Sequence, residues 1–296
     1  MLVVEPDTPK EAAVAPGVLD DSAAVPEAAR SGRRADLRRR IWFATWPKVA
    51  AIAIGLFLWQ LVVWSGWKQE YVLPGPGAVF AELGDLLADG TVGEAVSITM
   101  RRAAVGFALA LAIGVVVGSV VASSKVVRSA VGSLITGIQT MPSIVWFPLA
   151  ILLFKISEQA IMFVVALGAA PSIANGLITG VDHVPPILLR AGRAMGARGF
   201  AAYRHVVLPA SMPSFVGGLK QGWAFAWRSL MAGELLVIIA GEPSVGSLLQ
   251  NYRNLNNAAG LMAMMIVILV IGILVDTVFF GTLDRWIRRR HGLLAD

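Results

Sequence analysis

An all-α integral membrane protein with six crossings is the fold class this sequence predicts, and three observations predict it. Of its 296 residues 56% are hydrophobic and 15% charged, with a mean hydropathy of +0.71; a soluble domain of that size needs more polar surface. Six apolar runs, at about 46–64, 103–122, 131–154, 159–180, 215–240 and 259–283, each have about the 20 residues a helix needs to cross a bilayer. The cationic residues then sort by side. The N-terminal stretch through Lys48, the 123–130 loop, the 181–220 segment and the C-terminal tail hold 19 of the 25 Lys and Arg, and the opposite loops hold five, Lys68, Arg101, Arg102, Lys155 and Arg253. The positive-inside rule places both termini in the cytoplasm.

The same composition excludes several function classes. The absence of cysteine rules out disulfides and thiolate metal sites, and His183, His205 and His291 show no ligand spacing. A formal charge of +6 fits nucleic acid poorly, because the arginines gather at the ends of apolar segments, where they set topology. No GxxxxGK[ST] phosphate loop is present, so hydrolysis of ATP by this chain in the usual way is not expected. No catalytic, cofactor or metal residue is predicted.

Taken in order, residues 1–45 read as a disordered cytoplasmic tail rich in Ala, Pro and acids, ending in the basic patch SGRRADLRRR, a topology signal or a patch that binds lipid or a partner. It is not a signal peptide, since the first apolar run begins only near Trp46. The apolar membrane domain spans 46–284, with a polar insert at 181–213, and residues 285–296 form a basic cytoplasmic tail. Between the first two runs, Leu73-Pro74-Gly75-Pro76 is a rigid turn and Ala78–Ala88 an amphipathic helix. Small residues four apart, Ala110, Gly114 and Gly118, allow close helix packing, within the subunit before any specific partner. Pro142 and Pro148 in run three and Pro171 in run four should bend or open their helices.

The insert LRAGRAMGARGFAAYRHVVLPASMP, Leu189 to Pro213, interrupts two apolar runs. Ile187 to Gly196 suits a short helix with Leu188, Ala191 and Met195 on one face and Arg190 and Arg193 on the other. Gly196 and Gly199 can turn the chain, and a second short helix, Phe200 to Val207, should stop at Leu208-Pro209 because the residue before a proline is pushed out of helical geometry. Pro213 suits the first turn of the next helix.

Charges inside the membrane cost about 2.5–3.5 kcal/mol each and therefore face protein or water. Arg228 and Glu234 in run five are six residues apart, about 9 Å and roughly 240° around a helix, so each needs a partner elsewhere. Arg228 offers a forked donor set suited to sulfonate, nitrate or carboxylate, or forms an interface ion pair; both readings stand. Asp276 lies within two turns of Arg285 and Arg288 and reads as a topology or packing residue. Pro142, Trp146, Trp227, Arg228 and Glu234 are the candidate pathway residues. For the tryptophans, Trp223 included, aromatic packing is the alternative.

The insert resembles the EAA signature of the membrane subunits of ATP-binding-cassette importers, Glu-Ala-Ala, three residues, Gly, nine residues, Ile-x-Leu-Pro. Arg190, Ala191 and Gly192 take its first three places, Gly196 the glycine, and Val206, Leu208 and Pro209 its end. The spacing fits throughout, whereas Arg190 and Gly192 depart from the pattern in identity. The resemblance extends from about Leu73 to Arg290, through SITMRRAAVGFALALAIGVVVGSVVA, IQTMPSIVWFPLAILLFKI and GWAFAWRSLMAGELL, to permeases for sulfonates, taurine, nitrate and related small anions. It implies the six-helix type I importer (MetI-like) fold, a bacterial cytoplasmic membrane location, two copies of the chain, two cytoplasmic ATPase subunits that bind the ATP, and an external binding protein that delivers the solute. Phe200 and Tyr203 would be the knobs that enter a groove of the ATPase. The same machine could carry a thiamine precursor, an aromatic carboxylate or another solute. An ATP-independent transporter or channel, or a membrane scaffold, would explain the helices but not the spaced insert.

Overall fold

The structure is a computed structural model and describes residues 27–290; the expectations for 1–26 and 291–296 lie outside it. Among the described residues every regular element is helical. Residues up to Trp59 form one compact unit and Gln60 onward a second. The first unit is the greater part of helix α1, Glu27–Trp64. Its segment Thr45–Trp64 is long and apolar enough to cross a membrane. Residues 27–45, expected to be disordered, are helical instead. Their Ala, Arg, Leu and Glu are good helix formers and run into the apolar segment without a break.

In the second unit, α2 (Pro76–Ala88) starts on a proline after Gly75 and ends at Asp89. The Asp89 carboxylate accepts the Thr91 N–H at 2.9 Å, and this bond holds its carboxyl below the usual carboxylate range. Helix α3 (Thr91–Ser123) follows, then α4 (Lys125–Thr140), a 3₁₀ turn Ser143–Trp146, α5 (Phe147–Phe154) and α6 (Glu158–Asp182). The polar insert holds α7 (Pro186–Ala194), α8 (Phe200–Ala202) and a π turn Tyr203–Val207. The chain closes with α9 (Leu208–Leu236), α10 (Val245–Asn254), α11 (Ala258–Leu274), a π turn Val275–Phe280 and α12 (Gly281–Arg290).

Helix α6 is the centre of this unit: 72% of its apolar window is buried, against α3 and α9. Ile161, Val164, Val165, Ala169 and Ile173 from α6 meet Ala103 and Ala110 from α3, Trp223 and Leu230 from α9, and Phe147 from α5. The small-residue stripe of α3 serves this packing. A Cβ on Gly114 would lie 2.7 Å from Ile173 Cβ, and one on Gly118 3.0 Å from the Ala174 carbonyl oxygen. The closest approach joins Gly176 of α6 to Gly218 of α9, where a side chain on either would come within 2.5 Å of the other's Cα.

Several sequence expectations are corrected here. Run three is not one straight helix: its two halves meet at 99° between Thr140 and Ser143. Pro142 occupies that break, and Pro148 merely sits in the first turn of α5. Pro171, by contrast, stays inside an unbroken α6, because packing on both flanks holds the helix through the missing hydrogen bond. Leu208-Pro209 does not end a helix either. Leu208 is helical, at φ −60° and ψ −49°, and α9 runs through Pro209 and Pro213. The preceding π turn widens the backbone and moves the carbonyl that would otherwise strike the proline ring. At the other end α9 stops at Leu236, short of 240. Four helices among the described residues are long and apolar enough to cross a membrane, or five if the bent pair is one span. Helix α9 has the length, with 29 residues, but carries Lys220, Arg228 and Glu234.

Candidate functional site

The insert bends at its glycines, between the short helix α7 and a helical stretch that begins at Phe200 and, contrary to the expectation of a second short helix, runs on through the π turn into α9. Gly196 and Gly199 have φ of +87° and +54°, which a β-carbon makes costly. Ala197 N–H reaches back to the Gly192 carbonyl at 2.9 Å and closes α7 with a left-handed residue at Gly196. Gly192 is buried, and a Cβ there would sit 2.8 Å from Val206 Cγ2. The departure from alanine at this position therefore has a local cause: α7 lies against the π turn at van der Waals distance. Arg190 and Ala191 are exposed, Tyr203 and Val206 half-buried, and Leu208 and Pro209 exposed at the start of α9. Phe200 is 76% and Met195 81% exposed. Two large apolar side chains thus stand exposed beside arginines, and Met195, placed by the sequence on the apolar face of its helix, was not named there among the docking residues.

Three of the five candidate pathway residues come together. Pro142, Trp146 and Arg228 line one cleft of about 340 Å³, with Gln139, Ser143, Gly168, Phe225 and others, and no carboxylate. The break between α4 and α5 opens it, since the 99° turn swings α5 away from the line of α4. Arg228 is exposed, rests its guanidinium 5.8 Å from the Phe225 ring centre, and has no ion pair to another described residue. Gln139 is held from behind: its Nε2 donates to Ser172 Oγ at 3.0 Å and its Oε1 accepts from Asn175 Nδ2 at 2.6 Å. The cleft therefore offers guanidinium, amide and hydroxyl donors without a fixed negative charge.

Trp227 lies elsewhere. It stacks on Trp223 at 6.2 Å and lines a separate crevice of about 500 Å³ with Met265, Gly272 and Asp276. Asp276 itself pairs with Lys220 at 3.2 Å, both half-exposed, and ties the second π turn to α9.

Glu234 is 0% exposed and lines neither cavity. Its partner is Arg102, 2% exposed, at 3.3 Å. Thr99 Oγ1 donates to the same carboxylate at 3.0 Å, as does the Gly246 N–H at 3.1 Å. Arg102 also reaches Glu158 at 3.0 Å and Glu242 at 2.9 Å, and Arg101 bridges the same two acids. The cluster fastens α3, α6, α9 and the start of α10 together. Arg228 and Glu234 do diverge on the helix as their spacing requires, and Glu234 is placed in a structural tie rather than in the cleft. Sequence reasoning counted Arg101 and Arg102 only for topology. The available signal was that Glu158, before run four, and Glu234 and Glu242, at the end of run five, fall on the same side of the alternating apolar runs as Arg101 and Arg102, before run two.

Comparison with known proteins accords with this architecture. The family model described as binding-protein-dependent transport system inner membrane component matches residues 110–289. A putative ABC transporter permease of Methanocaldococcus jannaschii is 29% identical over 233 residues, 77% of this chain and 86% of that one. A putative aliphatic sulfonates transport permease, SsuC of Escherichia coli, is 28% identical over 253 residues, 85% and 92% of the two chains. The nitrate import permease NrtB of Synechocystis is 25% identical over 243 residues, 78% and 86%. Among solved structures, an inward-facing MetNI methionine ABC transporter covers 65% of this chain and 94% of its own at a TM-score of 0.55 and 22% identity, a likeness of fold. With its model matched over more than half the sequence, on an all-helical frame shared with a solved transporter of this kind, the chain belongs to the binding-protein-dependent transport system inner membrane component family, the membrane permeases of ABC importers.

Proposed function

We propose that this chain forms the translocation pathway for a small organic or inorganic anion of the sulfonate, taurine or nitrate type, in an importer driven by two separate ATPase subunits. An external binding protein delivers the solute, and two copies of the chain form the membrane part. In this reading the helices make six crossings, counting the bent α4–α5 pair and the charged α9 as one each, with both termini cytoplasmic. The observation that carries the anion assignment is the cleft at the helix break, lined by Arg228, Gln139 and Ser143 and by no carboxylate, with Arg228 in no ion pair among the described residues. A forked guanidinium matches planar or tetrahedral oxyanions, and similarity to sulfonate and nitrate permeases supports the same class.

The insert is the docking element for the ATPase. Exposed Phe200 and half-buried Tyr203 enter a groove on that subunit, and Arg190, standing where the family pattern has glutamate, meets an acidic or neutral group there. Closure of the ATPases on ATP draws the two inserts together and tilts the helices from inward-open to outward-open, a rigid-body switch. Copurification of the chain with its ATPase, followed by ATP-driven uptake into vesicles, tests the assembly directly. In that assay Arg228→Ala lowers uptake of an anionic solute more than it lowers complex assembly; equal loss of both would make Arg228 structural. Gly196→Leu and Tyr203→Asp leave the protein in the membrane and uncouple it, and unchanged uptake in both would remove the insert from the mechanism.

A further inference from the structure

Helix α4 is held to the protomer in an unusual way. Among its described residues only Ile135 is buried, in a small cluster with Val121 and Ile178. With the half-buried Val127 and Val131 beside it, this is a small packing contact to fix a 16-residue helix, because packing and hydrogen bonds, not transfer from water, hold helices to one another in a membrane. Polar ties at its two ends supply the rest. In the first turn, Arg128 Nη1 pairs with Asp182 Oδ1 of α6, and its Nη2 donates to the Ala122 carbonyl of α3 at 3.1 Å. In the last turn, Gln139 is bonded to Ser172 and Asn175, again of α6. The ties are eleven residues apart on α4, about 16 Å along its axis, and both fasten it to the same antiparallel neighbour.

Their placement gives the arrangement a use. Asp182 is the last residue of α6, and α7 of the insert begins at Pro186. Gln139 is a wall of the cleft that holds Arg228. We infer that Arg128 and Gln139 are positioning residues that clamp α4 to α6, so that the two helices travel together and a displacement of the insert reaches the cleft wall. This rests on the transport reading above. It adds that α4 and α6 keep their relative position through the cycle, while the cleft changes against α9.

The chain has no cysteine, so introduced thiols are the only ones it carries. The assembled complex with its ATPase and binding protein is measured in vesicles for solute taken up per ATP hydrolysed, a ratio that poor assembly leaves unchanged because it lowers both quantities. Arg128→Asp and Asn175→Ala are expected to lower that ratio about fivefold or more. Adding Asp182→Arg to Arg128→Asp should restore it. Bridging Gln139→Cys to Asn175→Cys with a short bis-thiol reagent should raise the ratio towards that of the unmodified chain. Uptake abolished by the bridge and recovered on its cleavage would overturn the inference, because α4 would then have to move against α6. An unchanged ratio in both clamp variants, with normal uptake by the unmodified chain, would overturn it as well. Absence of ATP-driven uptake by the unmodified chain would instead overturn the transport reading itself.

Discussion

Arg102→Ala is expected to destabilise the folded protein by about 3–5 kcal/mol, because it leaves the charge of the fully buried Glu234 uncompensated, whereas Glu234→Ala should cost less, since Arg102 keeps Glu158 and Glu242. Arg102 is 2% exposed and is the common partner of Glu158, Glu234 and Glu242. Without it, the Glu234 carboxylate keeps only Thr99 and the Gly246 amide. Arg101 is the internal control. It touches Glu158 and Glu242 too, but its side chain is 59% exposed, so Arg101→Ala should cost only about 0–1 kcal/mol. Thermal unfolding of the purified protein in detergent, followed by helical signal, separates the two. Equal melting temperatures for the Arg101 and Arg102 variants would show that the cluster contributes through exposed ion pairing alone.

Gly176→Ala and Gly218→Ala are the next most damaging substitutions, each expected to cost about 1–3 kcal/mol or more. At this contact a new methyl meets backbone, 2.5 Å from the opposing Cα, and backbone cannot rotate away as a side chain can. The helices must part, and the core formed by Ile173, Trp223 and Leu230 parts with them. Gly217 and Gly137 have nothing within 4 Å of an added Cβ. Alanine there should be neutral or stabilise by about 0.5–1 kcal/mol through helix propensity. A melting temperature unchanged by Gly176→Ala would mean that α6 and α9 are not held at this distance in the membrane.

Much of this architecture was legible in the residues because its causes are local. Apolar runs mark their own positions, Gly196 and Gly199 announce a turn, and the six-residue spacing of Arg228 and Glu234 fixes their divergence on any helix. Pro142 opened its run as a proline should. What was not legible depended on distant partners. Pro171 survives inside α6 because α3 and α9 enclose it, a fact absent from its neighbours in sequence. Glu234 finds Arg102 across 132 positions, and nothing near either residue names the other. Gly192 looked like a defect in a pattern until Val206 was seen against it. The start of α9 was misplaced for a different reason: the rule that proline ends a helix fails where a π turn precedes it.

That π turn has a mechanical consequence. From Phe200 to Leu236 the backbone is helical without interruption, about 55 Å of rod, whereas Gly196 and Gly199 give the other arm of the insert two left-handed pivots. The two sides of the insert therefore have unequal stiffness. Under the proposed coupling, a thrust on Phe200 would pass up α9, past Lys220 and Arg228, to the point where Glu234 is anchored to Arg102, whereas the same thrust on α7 would be spent at the pivots. The insert is a one-sided joint, and the sequence positions that set its direction are a pair of glycines on one side and an unbroken turn before a proline on the other.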